Sequence, residues 1–333
     1  MPEHTPESLA PLPVGAVQRV AFLGTPELAV PVLRSLVKAG IEVGHVVTRV
    51  DKRRARGNDL HPSPVKVAAL ELGLTVSHKV GDLLEQHRDK PFDLAVVVAY
   101  GALIKPHVLA EIPMVNLHVS LLPKWRGAAP IERALLAGDT QTGVCLMQIE
   151  EGLDTGGVIG LRTMAITDST TADDIRSQLI SEGSQLLIEQ LKSGLDPVVP
   201  QIGEATYAEK IDSSELRIDW SWSAHEISRL IRLGNAWTMF RGKRLKIHQA
   251  DVIDGVLMLG QHPEGFDQRL AALGVALTVF VPWEYTEADE KLARAATGYI
   301  MVPTRPGQTG TGTAAGDPSF LVEKMRAINK NVP

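Results

Sequence analysis

The chain has 333 residues, 44% of them hydrophobic and 22% charged, with a formal net charge of −5. That length accommodates two domains with separate cores, and the hydrophobic and charged fractions are ordinary for a soluble globular protein. The acidic balance excludes a globally basic nucleic-acid binder, so any such partner must meet a local patch. No apolar run reaches membrane-spanning length.

Residues 1–17 are Pro-rich and acidic, without the basic start and apolar stretch of a signal peptide. They are read as a disordered extension, with the cytoplasm as the default location. R-V-A-F-L-G at 19–24 reads as a short apolar strand. Gly24, Thr25 and Pro26 turn into a helix running to about Ala39, where Gly40 stops it. A second strand over 43–48 leads into R-V-D-K-R-R-A-R-G-N-D-L-H, a helix opens near Ser63 and Pro64, and a short strand follows near 74–76. The valine run at 93–100 reads as a strand buried on both faces, and 114–117 as another. Strands at 143–149 and 156–164 flank a Gly-rich D-T-G segment, and Cys145 in the first of them reads as a buried, inert thiol. One cysteine excludes an intramolecular disulfide and fits a reducing compartment. A helix over about 171–192 offers Ile175, Leu179, Leu186, Leu187 and Leu191 as a buried stripe, capped by Thr170 with Asp173.

This alternation predicts an α/β fold, a doubly wound, mostly parallel sheet over 18–193 with ligands at the carboxyl ends of its strands. Residues 194–209, punctuated by Pro and Gly, read as a linker. Residues 210–254 open a smaller C-terminal domain, with a helix carrying Ile227, Leu230 and Ile231 and a basic strand at 243–247. After about 255 the pattern changes, with strands expected at 276–281 and 299–302 and helices at 287–296 and 318–328.

Asn116 and His118 lie two apart at a strand end and so project to one side. An amide N–H beside an imidazole N–H can hold a carbonyl oxygen as it becomes an oxyanion. A nearby carboxylate would set the tautomer of the imidazole, and Asp154 in its Gly-rich loop is the candidate. Taken singly, each reads more readily as a structural residue. Residues 22–27 lack G-x-G-x-x-G, which argues against a dinucleotide-cofactor enzyme, and the ten histidines show no paired metal-ligand spacing.

The order of these residues in one longer string is more informative. N-L-H-V-S-L-L-P, then W-R-G-A-A-P-I, then G-L-D-T-G resembles the family of enzymes that use 10-formyltetrahydrofolate as formyl donor. W-R-G-A-A-P-I is closer to the branch acting on methionyl-tRNA than to those acting on glycinamide ribonucleotide or on formyltetrahydrofolate itself. F-L-G-T-P-E, P-S-P-V-K, V-V-V-A-Y-G and T-Y-A-E-K-I agree, and the resemblance covers about 19–250. It implies a Rossmann-like formyltransferase domain and a C-terminal β-barrel that becomes atypical after about 255. Asn116, His118 and Asp154 match the catalytic trio, Asn116 and His118 serving the oxyanion and Asp154 orienting His118 and assisting proton movement. The resemblance also implies a folate co-substrate bound by Val97, Tyr100, Gly101, Ser120, Leu121, Leu122 and Pro123, with no metal.

The same resemblance makes the basic segment a loop that meets charged initiator tRNA through Arg49, Lys52, Arg53, Arg54 and Arg56. Arg56-Gly57 keeps the family's R-G, whereas the stretch before it loses two prolines and a glycine and gains charge. Arg244 and Lys246 are expected to share a strand face in a second basic set with Arg229, Arg232, Arg241 and Lys243. No membrane and no stable protein partner are implied. The alternatives are a formyl transferase or hydrolase with a small-molecule acceptor, and an inactive folate- or tRNA-binding module.

Overall fold

R-V-A-F-L-G has no polar face, and it forms the central strand of the sheet, β1 (Arg19–Gly24), buried from Val20 to Gly24. The structure, a computed structural model, describes residues 8–53, 60–240, 243–253 and 256–259. The helix expected from Pro26 starts later: a single 3-10 turn, Glu27–Ala29, precedes α1 (Val30–Lys38). Pro31 accounts for the delay, because without an N–H it cannot close an α-helical bond to Glu27. Gly40, at φ +81°, ends the helix in the left-handed conformation that glycine adopts without steric cost.

Strand β2 (Glu42–Val47) runs beside β1, and the basic segment then forms a small antiparallel ladder, β3 (Lys52–Arg53) on β4 (Leu60–His61). Ser63 caps α2 (Pro64–Glu71) by accepting from the Lys66 N–H at 3.1 Å. Next come β5 (Val76–Ser77), α3 (Asp82–Asp89), β6 (Leu94–Val98), α4 (Pro106–Leu109), β7 (Met114–His118), β8 (Arg126–Gly127) and α5 (Pro130–Ala137). Then follow β9 (Gln141–Gln148), β10 (Val158–Ala165) and α6 (Ala172–Ser193). Because α6 begins at Ala172, its capping position is Thr171 rather than Thr170, whose hydroxyl accepts from the Thr167 N–H instead.

Seven strands form the main sheet in the order β10-β9-β7-β6-β1-β2-β5. Strands β1, β2, β5, β6 and β7 are parallel, while β9 and β10 add an antiparallel edge. The chain winds from β1 to β2 and β5 on one side, then returns to β6 and β7 on the other. That reversal opens a crevice at the carboxyl ends of β1 and β6, where open α/β sheets bind ligands. Thr25, just past β1, donates from Oγ1 to the Tyr100 carbonyl just past β6, at 2.9 Å.

Two expected boundaries shift. The extension expected to be disordered through residue 17 is packed from Leu9: the Ala10 N–H donates to Leu109, the Val17 N–H donates to Leu191, and Val17 is fully buried. A few apolar side chains suffice to hold it. Residues 194–209, expected as a linker, are bound to the first of two units, which continues to Lys210. Val199 exchanges two backbone hydrogen bonds with Val158, and β11 (Tyr207–Ala208) pairs in parallel with β8.

Among the described residues, the second unit comprises those from Ile211 to Leu259 together with Leu135–Asp139 and Thr167–Asp173. Its helix α7 (Ala224–Ile231) opens on a capping box between Ser223 and Glu226 and turns Ile227, Leu230 and Ile231 inward. They pack with Ile218, Ala236, Leu245, Ile247, Ala250 and Leu257. Two antiparallel pairs follow, β12 (Trp237–Phe240) with β13 (Lys243–Lys246) and β14 (Ala250–Ile253) with β15 (Val256–Leu259). Short strands therefore continue past 255 as far as Leu259. The elements expected over 276–328 lie outside the described residues. No described helix is long and apolar enough to cross a membrane.

Candidate active site at the carboxyl ends of the central strands

Strand β7 carries Asn116 and His118 on one face, with Met147 and Cys145 of β9 as their register partners. His118 is 6% exposed, and its Nε2 lies 2.9 Å from the carbonyl oxygen of Trp125. A carbonyl only accepts, so Nε2 must carry the proton, and the neutral ring presents a lone pair at Nδ1. That lone pair lies 3.6 Å from Oδ2 of Asp154. The role expected for His118 is narrowed by this contact: its one neutral N–H is already engaged by Trp125, and a second donor exists only on the imidazolium, at Nδ1. Asn116 is half-buried, and among the described residues nothing hydrogen-bonds its side chain.

Asp154 adopts φ +51°, and its Oδ2 accepts from the Gly127 N–H at 2.8 Å. Gly127 is itself left-handed, at φ +115°; a Cβ there would stand 3.0 Å from the Ala208 carbonyl oxygen. Among the described residues three non-glycine residues have positive φ: Ala99, Trp125 and Asp154. Ala99 follows β6, Trp125 holds His118 and Asp154 faces it, so the uncommon backbone conformations gather at the site, where strain is commonly stored.

The residues expected to bind the co-substrate divide into two groups. Val97 and Tyr100 belong to the core with Ala21 and Leu23, which makes them the floor beneath the crevice rather than an open lining. Gly101, at φ +75°, follows Tyr100 and is exposed. Burial pushes the Tyr100 phenol above its ordinary pKa, opposed by the positive charge of Arg49. Ser120 is fully buried and donates from Oγ to the Lys124 carbonyl at 2.6 Å, closing the turn that presents Leu121, Leu122 and Pro123.

Of the basic residues, Arg49 lies at the root of its segment with its N–H 3.4 Å from Thr25 Oγ1, and Lys52 and Arg53 form β3. Arg54, Arg56 and Arg241 lie outside the described residues. Arg244 and Lys246 share an exposed face of β13, as their spacing predicts, and the Arg244 guanidinium sits 4.0 Å above the Trp237 ring. Arg232 departs from the expected basic set. Its guanidinium donates to the carbonyls of Thr167 and Thr170, both at 2.9 Å, and burial lowers its pKa despite the nearby Asp168. Arg229 likewise has its Nε buried. Arg229 lies on α7 and Arg232 caps its C-terminus, and because the apolar stripe of that helix faces the core, both stems are drawn inward.

Sequence reasoning passed over Gln201, which donates to the carbonyls of Asp154 and Gly156, both at 2.8 Å. It also passed over Thr206, whose Oγ1 accepts from the Trp125 N–H at 2.9 Å. Both fall in the segment read as a linker; only the T-Y-A-E-K-I string marked part of it. Among the described residues no group of three or more His, Cys, Asp or Glu could hold a metal ion.

Residues 18–191 match the formyl transferase family, and residues 210–258 match the C-terminal domain of formyl transferases. The chain is 42% identical over 275 residues to the methionyl-tRNA formyltransferase of Dinoroseobacter shibae, covering 78% of this chain and 91% of that protein. The crystal structure of HypX from Aquifex aeolicus in complex with tetrahydrofolic acid shares the fold at TM-score 0.53 and 17% identity, over 71% of this chain and 38% of that one. Methionyl-tRNA formyltransferase from Clostridium thermocellum does so at TM-score 0.52 and 16% identity, over 73% of this chain and 97% of that one. On sequence and architecture together, the chain belongs to the formyl transferase family and, within it, to the methionyl-tRNA formyltransferases.

Proposed function

We propose that this protein transfers the formyl group of 10-formyltetrahydrofolate to the α-amino group of methionine on initiator tRNA, for translation initiation in the cytoplasm. The observation that carries the reading is His118, held by a backbone carbonyl on one side and faced by the Asp154 carboxylate on the other, two residues from the Asn116 amide. In the reaction the amine nitrogen attacks the formyl carbon and the carbonyl oxygen becomes an oxyanion. Collapse breaks the bond to N10 of the folate, the amine loses a proton and N10 gains one.

Each protein group has one task in that sequence. The Asn116 amide donates to the oxyanion, a role that needs a placed donor rather than a titrating one. Nδ1 of His118 accepts the proton of the attacking amine, and the resulting imidazolium faces Asp154 until the proton passes to N10. Transfer is direct, with no covalent enzyme intermediate, because both substrates meet in one site. The folate would lie in the crevice above Tyr100 and Gly101, bounded by the turn of Ser120, Leu121, Leu122 and Pro123. The tetrahydrofolate bound to HypX supports a folate co-substrate. The tRNA backbone would be met by Arg49, Lys52, Arg53, Arg54 and Arg56 and by Arg244 and Lys246, consistent with phosphate contact by local basic patches.

The test is formyl transfer from 10-formyltetrahydrofolate to methionyl-tRNA by the purified chain, with His118→Ala alongside. Transfer by the parent and a loss of roughly a hundredfold or more in the variant are expected. Absence of transfer to tRNA by a folded parent protein would reject the reading.

A further inference from the structure

We infer that Gln201, with Arg126 behind it, is a positioning residue that sets Asp154 against His118. The inference rests on the reading of His118 and Asp154 as the proton-transferring pair. Three consecutive residues, Trp125, Arg126 and Gly127, surround the pair with hydrogen bonds. The Trp125 carbonyl holds His118 at Nε2, and the Gly127 N–H holds the Asp154 carboxylate. Between them, the Arg126 guanidinium donates to Oε1 of Gln201, from Nε at 3.1 Å and from Nη2 at 2.7 Å. Gln201 in turn donates from Nε2 to the Asp154 and Gly156 carbonyls, both at 2.8 Å.

A side-chain amide has two donor hydrogens and two acceptor lone pairs, and Gln201 uses all four here. Its orientation is unambiguous, because a guanidinium only donates and a carbonyl only accepts. The hydrogen bonds form a closed ring: Arg126 to Gln201, Gln201 to the Asp154 backbone, the Asp154 side chain to the Gly127 backbone, and Gly127 back to Arg126. Asp154 is thus gripped at its carbonyl and at its carboxylate while holding φ +51°, a conformation that surroundings must impose on a non-glycine residue. Without Gln201 the carbonyl is released, and the carboxylate can follow the relaxing backbone away from Nδ1.

Gln201 touches neither reacting atoms nor His118, so its effect must pass through Asp154. Replacement of Gln201 by Ala is expected to lower kcat roughly 10- to 100-fold, the scale of a misplacement of about 1 Å, with KM for folate and tRNA within about threefold. Gln201→Glu keeps the side-chain volume and the acceptor for Arg126 but sets a carboxylate oxygen against two carbonyls, and it should lose at least as much. A shared thermal midpoint with the parent confirms that the glutamate variant is folded.

The deciding measurement is a double-mutant cycle on kcat with Asp154→Asn. If Gln201 acts through the Asp154 carboxylate, Gln201→Ala in the Asp154→Asn background costs less than about twofold. An undiminished effect in that background, a change confined to KM, or parent-like kcat in both Gln201 variants overturns the inference. Parent-like kcat for Asp154→Asn alone is a different failure, because it rejects the role of the pair itself.

Discussion

His118 and Asp154 face each other across 3.6 Å, yet neither holds the other in place. The ring is fixed by the Trp125 carbonyl at 2.9 Å and the carboxylate by the Gly127 N–H at 2.8 Å. The separation is longer than a hydrogen bond, so the backbone of one turn sets the pair. A proton arriving at Nδ1 finds its counter-charge already placed, which limits reorganisation during transfer.

Replacing Asp154 by Asn keeps the shape and removes the charge. The kcat for formyl transfer to methionyl-tRNA is expected to fall roughly a hundredfold or more, with little change in KM. Asn116→Ala should cost roughly 100- to 1000-fold in kcat, the range for loss of one oxyanion donor. Rates within threefold of the parent would remove either residue from the mechanism.

Gly127→Ala tests the turn directly. The new Cβ must be carried at φ +115° and would stand 3.0 Å from the Ala208 carbonyl oxygen. Denaturant titration should show a loss of about 1–3 kcal/mol, the usual cost of an unfavourable backbone conformation. The kcat should fall as well, because the displaced N–H is the one that holds Asp154. An unchanged kcat in a folded variant would show that this hydrogen bond is dispensable.

The exposed face of β13 predicts a salt-sensitive acceptor. Arg244→Ala combined with Lys246→Ala should raise KM for tRNA and leave kcat unchanged. It should also flatten the slope of log KM against log salt by about 1 for each phosphate that is no longer neutralised. Initial rates between low and physiological salt measure this. A KM indifferent to salt in the parent would favour a small-molecule acceptor.

Cys145 is fully buried, and burial pushes its thiol up to about 11. At pH 8 roughly one molecule in a thousand would then carry the thiolate, the form that reacts. Alkylation of the native protein should be slow and rise about tenfold per pH unit up to that value, whereas the unfolded chain should react at the rate of a free cysteine. Rapid alkylation at pH 8 under native conditions would contradict the burial.

Much of this was legible in the chain. The unbroken apolar run of β6 announces a strand buried on both faces, and the spacing of Asn116 and His118 alone places both on one side of β7. The spacing of Ile227, Leu230 and Ile231 announces the inward face of α7. Other features were not legible for physical reasons. Pro31 interrupts the first helix from inside a segment that otherwise reads as continuous. Arg229 and Arg232 count as surface charge until the orientation of α7 draws them inward.

The sequence by itself determined the parallel sheet with ligands expected at its strand ends, because periodicity is a local property of the chain, and its resemblance to the users of 10-formyltetrahydrofolate singled out Asn116, His118 and Asp154 as candidates. Only the tertiary structure decided how those residues are held. Gln201 reaches Arg126 across 75 positions and Asp154 across 47. A backbone carbonyl, not a side chain, sets the tautomer of His118. Such pairings depend on where distant backbone comes to rest, and no local pattern of residues encodes that.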